Sequence, residues 1–429
     1  MLTHSRIPLG RAHMLASAVT QDIQRAGLSF EQLTPVGSIR RFSPDIGDVT
    51  LLGVAPAAAH ADLLNGFCQV RAFIRVSERA VDHATGETER GAVTLRLTVP
   101  EHAGAALVWH TGAVRHTRAL QALAHERGLT FDGPELRRAD GSALPTPTEE
   151  SLYRHLDLPF IPPELRGGTD EIETAAAGRL PALVSELDIR GDLHMHSTWS
   201  DGRSPIGEMV AAAQQLGYEY VAITDHSERS LASRSLSVDD IARQRREIER
   251  IRKRLPRIEI LHGVEVDIMP DGRLDFDDDA LSGFDIVLAS LHDHAGHDNT
   301  QLTERYLGAI AHPLVNVITH PANRSPARTA GYDLDYDRLF AAAAASGTAM
   351  EIDGAPGHLD MDGEVARRAI AAGVTVTIDS DCHRADALGR QMRFGLGTAR
   401  RGWVEPAHVL NTRPVEQVRE FVARKRARR

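Results

Sequence analysis

From Gly191 onward the sequence alternates short apolar runs with amphipathic stretches, and this alternation constrains the fold more than any other feature. Seven runs have the length and composition of buried strands: GDLHMH, YVAITDH, IEILHGVEVDI, FDIVLASLH, VNVITH, TAMEID and TVTIDSD. Helical periodicity fills most of the gaps, near residues 204–216, 238–255, 301–312, 335–346 and 362–372. Strands joined through helices pair in parallel, and about seven or eight such units commonly close into a barrel. The expectation is therefore an α/β chain with a C-terminal barrel over residues 190–429.

The preceding residues have another texture. Residues 1–130 read as a smaller α+β domain: a helix from Arg11 to Ala26, the turn-rich PVGSIRRF, and a strand at VTLLGVA. Strands VRAFIRV and AVTLRLTVP follow, joined through the polar hairpin SERAVDHATGETERGA, then a helix ending in Gly128. Residues 131–189 are rich in Pro, Gly and acids and read as a connector. The basic ending ARKRARR reads as a solvated helix end, with cations on its negative pole.

A chain of 429 residues with 42% hydrophobic content and a net charge of −10 is a globular protein of two to three domains by length. The acidity argues against a nonspecific DNA-coating protein; phosphate contacts, if made, require local arginine clusters. Cys68 and Cys382 are the only cysteines, so neither a disulfide framework nor a thiolate zinc site is expected, and a reducing cytoplasm is the default. No apolar run approaches membrane-spanning length, and MLTHSRIPLGRAHML lacks a signal pattern, so no membrane partner is expected.

The polar residues at the C-terminal ends of the seven strands are His194, His196, Asp201, His226, Glu265, His292, His320, Asp381 and His383. In a parallel barrel these positions share one rim, where active sites of such folds are built. His194 and His196 are two apart on a strand and face the same way, and Asp381 and His383 repeat that spacing. A lone histidine on an apolar strand is usually a satisfied core residue. Six at equivalent strand ends, interleaved with three carboxylates, would leave unmatched polar atoms, each costing about 1–3 kcal/mol, unless metal holds them. Nine donors suit two or three ions, with Glu265 bridging because a carboxylate has two oxygens to share. Imidazole and carboxylate suit Mn²⁺, Zn²⁺ or Fe²⁺. Such a centre stabilises the attacking and leaving oxygens of an in-line displacement at phosphorus. Asp201, His226, Glu265 and His383 are the expected catalytic members.

The motifs HMHSTWSDG, AITDHS, GVEVDI, SLH, THP and SDCH resemble those of the polymerase and histidinol phosphatase (PHP) domain, over residues 190–429. The resemblance implies a distorted seven-stranded barrel that hydrolyses phosphoesters. It also implies three metal positions: His194, His196, Glu265 and Asp381; Glu265, His292 and His320; Asp201, His226 and His383. LPFIPPELRGGTDEIE, LDMDGEVARRA and GLGTARRGWVEPAHVLNT further resemble the bacterial family X DNA polymerases, whose PHP domain is a manganese-dependent 3′–5′ exonuclease and 3′-end phosphoesterase.

GSIRRFSPDIGDVTLL then resembles the palm of that family, a nucleotidyltransferase fold needing three carboxylates for two Mg²⁺ ions. Only Asp48 is present; Thr50 and Thr94 stand where the other two are expected. The chain also opens directly on this segment, without the template-gripping helical domains that precede it in full-length polymerases. The expectation is a degenerate palm without polymerase activity, in which Gly37, Ser38, Arg40, Arg41 and Asp48 mark the remnant site and the glycine turn and arginines could still bind phosphate. Arg115 and Arg118 read as a solvated helix face. In the PHP half, Asp353 and His358 replace the Asn and Arg of the family pattern. Arg234, Arg324, Arg328 and Arg393 follow strand ends and are the candidate substrate-phosphate contacts.

Three readings follow. The first is a metal-dependent phosphoesterase acting on DNA 3′ ends, without polymerase activity. The second is a small-molecule phosphatase of the histidinol-phosphatase kind, favoured by the −10 charge and an aromatic content of only 5%, which supplies few stacking platforms. The third is a non-catalytic DNA-end-binding module, against which nine intact donors on an open rim argue.

Overall fold

The computed structural model describes residues 6–427 except 231 and 233. Residues 1–5 of the N-terminal stretch and the last two arginines of the basic tail lie outside the described residues. The chain divides into two compact units, Met1–Leu180 and Pro181–Arg429.

The first unit is built on a five-stranded mixed sheet of β1 (Gln32–Val36), β2 (Val49–Val54), β3 (Arg75–Arg79), β4 (His83–Thr88) and β5 (Gly91–Thr98), in the order β1-β2-β5-β4-β3. β2 is buried along its whole length and pairs in parallel with β5, which sets Thr50 opposite Thr94. The segment expected to be a hairpin loop contains β4, and every residue of β3 is exposed. An edge strand with both faces in water has no apolar alternation to betray it.

Residues 131–180, within the expected connector, are instead folded into this unit. They form short strands at Leu136–Arg138 and Ala143–Leu144 and helices Glu149–His155 and Glu171–Ala176. Buried ion pairs hold them. Arg166, fully buried, donates to Glu149, which also takes a two-pronged contact from Arg40 at 2.8 and 2.7 Å. Nearby, Glu171 accepts from His116 Nδ1 (2.7 Å) and from the Gly168 and Thr169 amides.

The second unit is the expected barrel. Its seven parallel strands run in chain order: β6 (Gly191–Asp192), β7 (Tyr220–Ile223), β8 (Glu259–Asp267), β9 (Ile286–Ser290), β10 (Val317–Ile318), β11 (Ala349–Asp353) and β12 (Val376–Asp379). Helices Ile206–Gln215, Val238–Arg254, Asn299–Ala311, Tyr336–Ser346 and Gly363–Ala371 fill the predicted gaps. Four begin where a side chain caps the first turn, at Ser237, Asp298, Asp335 and Asp362.

The ring has one seam, because β6 and β12 share no regular ladder. Side chains span it. The Leu193 amide donates to Asp379 Oδ1 (2.7 Å), the Ser380 amide to Asp192 Oδ1 (3.2 Å), and Asn411 Nδ2 to both Gly191 O (2.9 Å) and Ile378 O (2.6 Å). Beyond the strand ends, Met195 and Cys382 form a single bridge. Both cysteines are free thiols.

Candidate metal centre

The strands stop short of the functional residues. β6 is two residues long and β12 ends at Asp379, so His194, His196, Asp381 and His383 all lie just past the ladder, on either side of the seam. His292 and His320 each stand two residues beyond a strand end. Asp381 and His320 have φ of 46° and 25°, the left-handed region that non-glycine residues rarely occupy. Such conformations persist where surroundings over-determine them and cluster at functional sites.

Glu265, within β8 and fully buried, is the hub. Its Oε2 lies 3.4 Å from His194 Nε2, 3.5 Å from His196 Nε2 and 2.8 Å from His226 Nδ1. Its Oε1 lies 2.9 Å from His320 Nε2 and 3.7 Å from His292 Nε2. Asp381 Oδ1 is 3.1 Å from His196 Nε2 and 3.6 Å from His194 Nε2, and the two Nε2 atoms are 3.1 Å apart. Asp201 Oδ1 approaches His383 Nε2 (3.2 Å) and His226 Nε2 (3.6 Å). The structure thus brings all nine strand-end residues into one cluster. It places His226 between two positions, with one ring nitrogen toward Glu265 and the other toward Asp201.

The cluster fits divalent ions. Donors around one tetrahedral ion at ~2.0–2.2 Å stand roughly 3.3–3.6 Å from each other, and the separations among His194, His196, Glu265 and Asp381 given above run from 3.1 to 3.6 Å. Two buried atoms that face the cluster have no hydrogen-bond partner, His226 Nδ1 and Glu265 Oε2. His226 Nδ1 and Glu265 Oε2 are close but unaligned, as two donors to a common ion are. Asp267, which the sequence reading did not single out, joins His226 and His292 in a further group.

Electrostatics point the same way. Burial would strip His194 of its proton, but Glu351, Glu265 and Asp381 outweigh it and hold the imidazole well above its ordinary value. His292 and His383 are likewise held up at about 9 against burial, by Asp267 and Glu265 for the first and by Asp381 and Asp201 for the second. Burial, with His226 and His383, drives His196 down to about 3. The pocket attracts positive charge while keeping one central imidazole neutral.

A second layer orients these donors. His194 Nδ1 contacts Glu351 Oε1 (2.7 Å), whose other oxygen accepts the His320 amide (3.0 Å). With Nδ1–H donated there, Nε2 presents its lone pair to the cluster. His292 Nδ1 contacts Asp267 (3.0 Å), and His383 Nδ1 the Asp381 carbonyl (3.0 Å). Asp225, beside His226, accepts from Ser197, Ser200 and Gln244 and fixes the loop carrying Asp201.

A cavity of about 230 Å³ opens onto this rim, lined by Asp201, His226, Ala232, His292, His320, His358, Asp381 and His383. His358 stacks on His320 with ring centroids 5.1 Å apart, and burial with His320 pushes its pKa down to about 4. Where the resemblance led one to expect an arginine, the wall is a neutral imidazole. Asp353 is buried and accepts from the Ala355 amide.

None of the four candidate arginines lines this cavity. Arg324 pairs with Asp362 (2.9 Å), Arg234 donates to Thr198 O (2.9 Å), and Arg328 and Arg393 are exposed. In the first unit, the arginines expected to be open to phosphate are engaged internally, Arg40 with Glu149 and Thr111 and Arg41 with the Thr111 carbonyl. Asp48 accepts from Thr50 Oγ1 (2.8 Å), and Thr94 shares a hydrogen bond with Thr85. No group of metal-ligating side chains is found there among the described residues.

The PHP domain family matches residues 192–321, and the DNA polymerase beta thumb family matches residues 106–167. The DNA polymerase/3′-5′ exonuclease PolX of Bacillus subtilis is 33% identical over 422 residues, covering 98% of this chain and 73% of that protein. The chain belongs to the PolX family. The thumb match corrects the sequence reading, which assigned the helix Val114–Glu126 to the palm and the following residues to a connector. Two other relatives of this PolX-family chain match about half of it. A probable phosphatase of Syntrophotalea carbinolica is 28% identical over 56% of this chain and 98% of its own length, and one of Shewanella oneidensis is 32% identical over 46% and 78%. No helix among the described residues is long and apolar enough to cross a membrane.

Proposed function

We propose that this protein is a metal-dependent phosphoesterase that removes nucleotides or blocking groups from DNA 3′ ends, and that it does not polymerise. The observation that carries the proposal is Glu265, a buried carboxylate within 3.7 Å of five imidazole nitrogens at the rim of a parallel barrel. The residues that would hold two or three divalent ions are His194, His196, Asp201, His226, Glu265, His292, His320, Asp381 and His383. Mn²⁺ is the ion proposed for activity, and the same donors accept Zn²⁺ or Fe²⁺. When bound, such ions activate water and neutralise phosphoryl oxygens.

The residues divide the remaining work. Glu265 and Asp381 supply fixed negative charge from below. Asp201 and His383, with side chains 24% and 33% exposed, stand at the open edge where a phosphoester arrives. His383 is held through Nδ1, so its Nε2 faces the cavity and would be a donor to an ion at the open edge, where that ion would neutralise the leaving oxygen. The small cavity admits a phosphoryl group and its sugar, which favours a chain end over an internal bond. The name of the Bacillus relative, a DNA polymerase/3′-5′ exonuclease, supports the same reading. Polymerase activity is excluded from the proposal because Asp48 is the single carboxylate of its site and is bonded by Thr50. The small-phosphomonoester reading is favoured by the size of the cavity and its uncharged His358 wall.

A 5′-labelled primer-template incubated with Mn²⁺, with and without nucleotides, separates the readings. Primers shortened in both lanes, with loss of at least about a thousandfold (~4 kcal/mol) in Asp381→Ala, are expected. Unchanged primers together with phosphate release from a small monoester would establish the second reading, and extended primers would overturn the inactive palm.

A further inference from the structure

We propose that the exposed basic face of the helix Val238–Arg254 is the track on which the sugar-phosphate backbone of a single DNA strand lies as its 3′ end enters the metal centre. The inference rests on the 3′-end reading above and names where the rest of that substrate is held. Arg243, Arg246, Arg250 and Lys253 recur at helical spacing and fall within a sector of about 80° at 100° per residue. They span ~15 Å, over which a strand stacked as in a duplex advances roughly four nucleotides at ~3.4 Å each. All four are exposed, and with Trp199 and Glu249 they line a cleft of about 600 Å³. Four cations face one carboxylate there, in a chain whose net charge is −10.

The ordinary reading of such a face is a solvated helix laced by its own salt bridges. Here only Arg243 of the four has a recorded carboxylate partner, Asp240 at 2.6 Å, while Arg246 and Lys253 make no side-chain hydrogen bond among the described residues. The opposite face is anchored to the centre itself. Buried Gln244 donates to Asp225 Oδ2 (2.6 Å), next to His226. Trp199, between His196 and Asp201 in the sequence, donates Nε1–H to Glu247 (2.9 Å) and lies under the Arg243 guanidinium at 5.5 Å. Arg234, bonded to Thr198 O, adds a further cation to the same loop. The loop that carries metal-ligating side chains is thus also the wall of the basic cleft. Guanidinium groups beside an aromatic ring are the chemistry of single-strand binding.

The test is the triple variant Arg246→Gln/Arg250→Gln/Lys253→Gln. Binding of a fluorescein-labelled single-stranded 20-mer is followed by anisotropy across a salt series, in an Asp381→Ala background so that the strand is not consumed. Hydrolysis of the 20-mer is compared, in otherwise native protein, with hydrolysis of the p-nitrophenyl ester of thymidine 5′-phosphate. The variant should bind at least about tenfold more weakly, with a log K against log[salt] slope shallower by about 2, that is ~0.7 for each of three lost phosphate contacts. The ratio of 20-mer to small-ester kcat/KM should fall by the same factor, a split that mere misfolding would not produce. Arg246→Gln alone should lower the slope by ~0.7 and serves if the triple variant does not fold. Unchanged affinity and slope, with the 20-mer still cut, would overturn this inference alone. A native protein that hydrolyses small monoesters and neither binds nor cuts the 20-mer would overturn the 3′-end reading with it.

Discussion

The two units bury the same kinds of side chain and use them in opposite ways. In the first, Glu149 and Glu171 have both oxygens matched, by Arg40 and Arg166 and by His116 and two backbone amides. In the second, Glu265 is surrounded by imidazoles at short range, and His226 Nδ1 and Glu265 Oε2, 2.8 Å apart, have no hydrogen-bond partner. Matching of both carboxylate oxygens by fixed internal cations and amides makes a polar cluster structural, even with Arg166 Nη2 left without a partner. Convergence without matching leaves the compensation to something from outside. The difference separates a folded scaffold from a binding centre without reference to residue type.

The largest break in this comparison should come from Glu149→Ala, which strands the Arg40 and Arg166 charges in the interior. The expected cost is about 3–5 kcal/mol to the first unit, read by hydrogen exchange of its amides. Acid should act in the same direction. Burial raises the Glu149 and Glu171 carboxyls, but Arg40 and Arg166, and His116, outweigh it and lower both; burial lowers His116. Groups with lowered folded-state values stabilise fully above their unfolded values and lose that contribution as the pH falls. Protection of the first unit should therefore drop below about pH 6.5 as His116 takes up a proton, and further below about pH 4.5 as the glutamates do. Rising protection over that range would contradict the assignment.

A smaller effect tests a carboxylate of the second unit that, like those of the first, is matched at both oxygens. Glu351 is matched at both oxygens, by His194 and the His320 amide. Glu351→Gln keeps the shape but turns an amide group toward one of those donors. Mn²⁺ affinity should fall about 10–100-fold in a calorimetric titration, with the circular dichroism spectrum unchanged. An affinity within twofold of the native protein would make Glu351 merely a core residue. The smallest effect is expected at Asp48. Asp48→Ala should leave 3′-end hydrolysis within about tenfold, less than ~1.4 kcal/mol in the barrier, and a greater loss would mean that the first unit takes part in the chemistry.

The barrel strands and the nine strand-end residues were legible because both signals are local. A run of apolar residues ending in a polar one says where a strand stops and what it carries. What escaped depends on distant partners. Glu351 sits in AMEID like any alternating polar residue until His194, 157 positions away, is packed against it. Arg166 lies in FIPPELRGG, whose prolines and glycines read as linker, yet it is fully buried by its pairing with Glu149. The strand expected at VRAFIRV is shifted along the chain to Arg75–Arg79, where every residue is exposed and no apolar face fixes its bounds. The arginines after the strand ends shared a position in the chain but not a destination, since Arg324 is taken up by Asp362.

The seam in the barrel gives the centre a mechanical meaning. His194 and His196 stand on one lip, Asp381 and His383 on the other, and between the lips lie an isolated bridge, a hydrogen bond from the Arg203 amide to His383 O (2.7 Å) and a few bonds to side chains. A cation gripped from both lips would act there as a clasp across the seam. Loading such a centre would then also fasten the ring, so that the seam and the site would be closed by the same side chains.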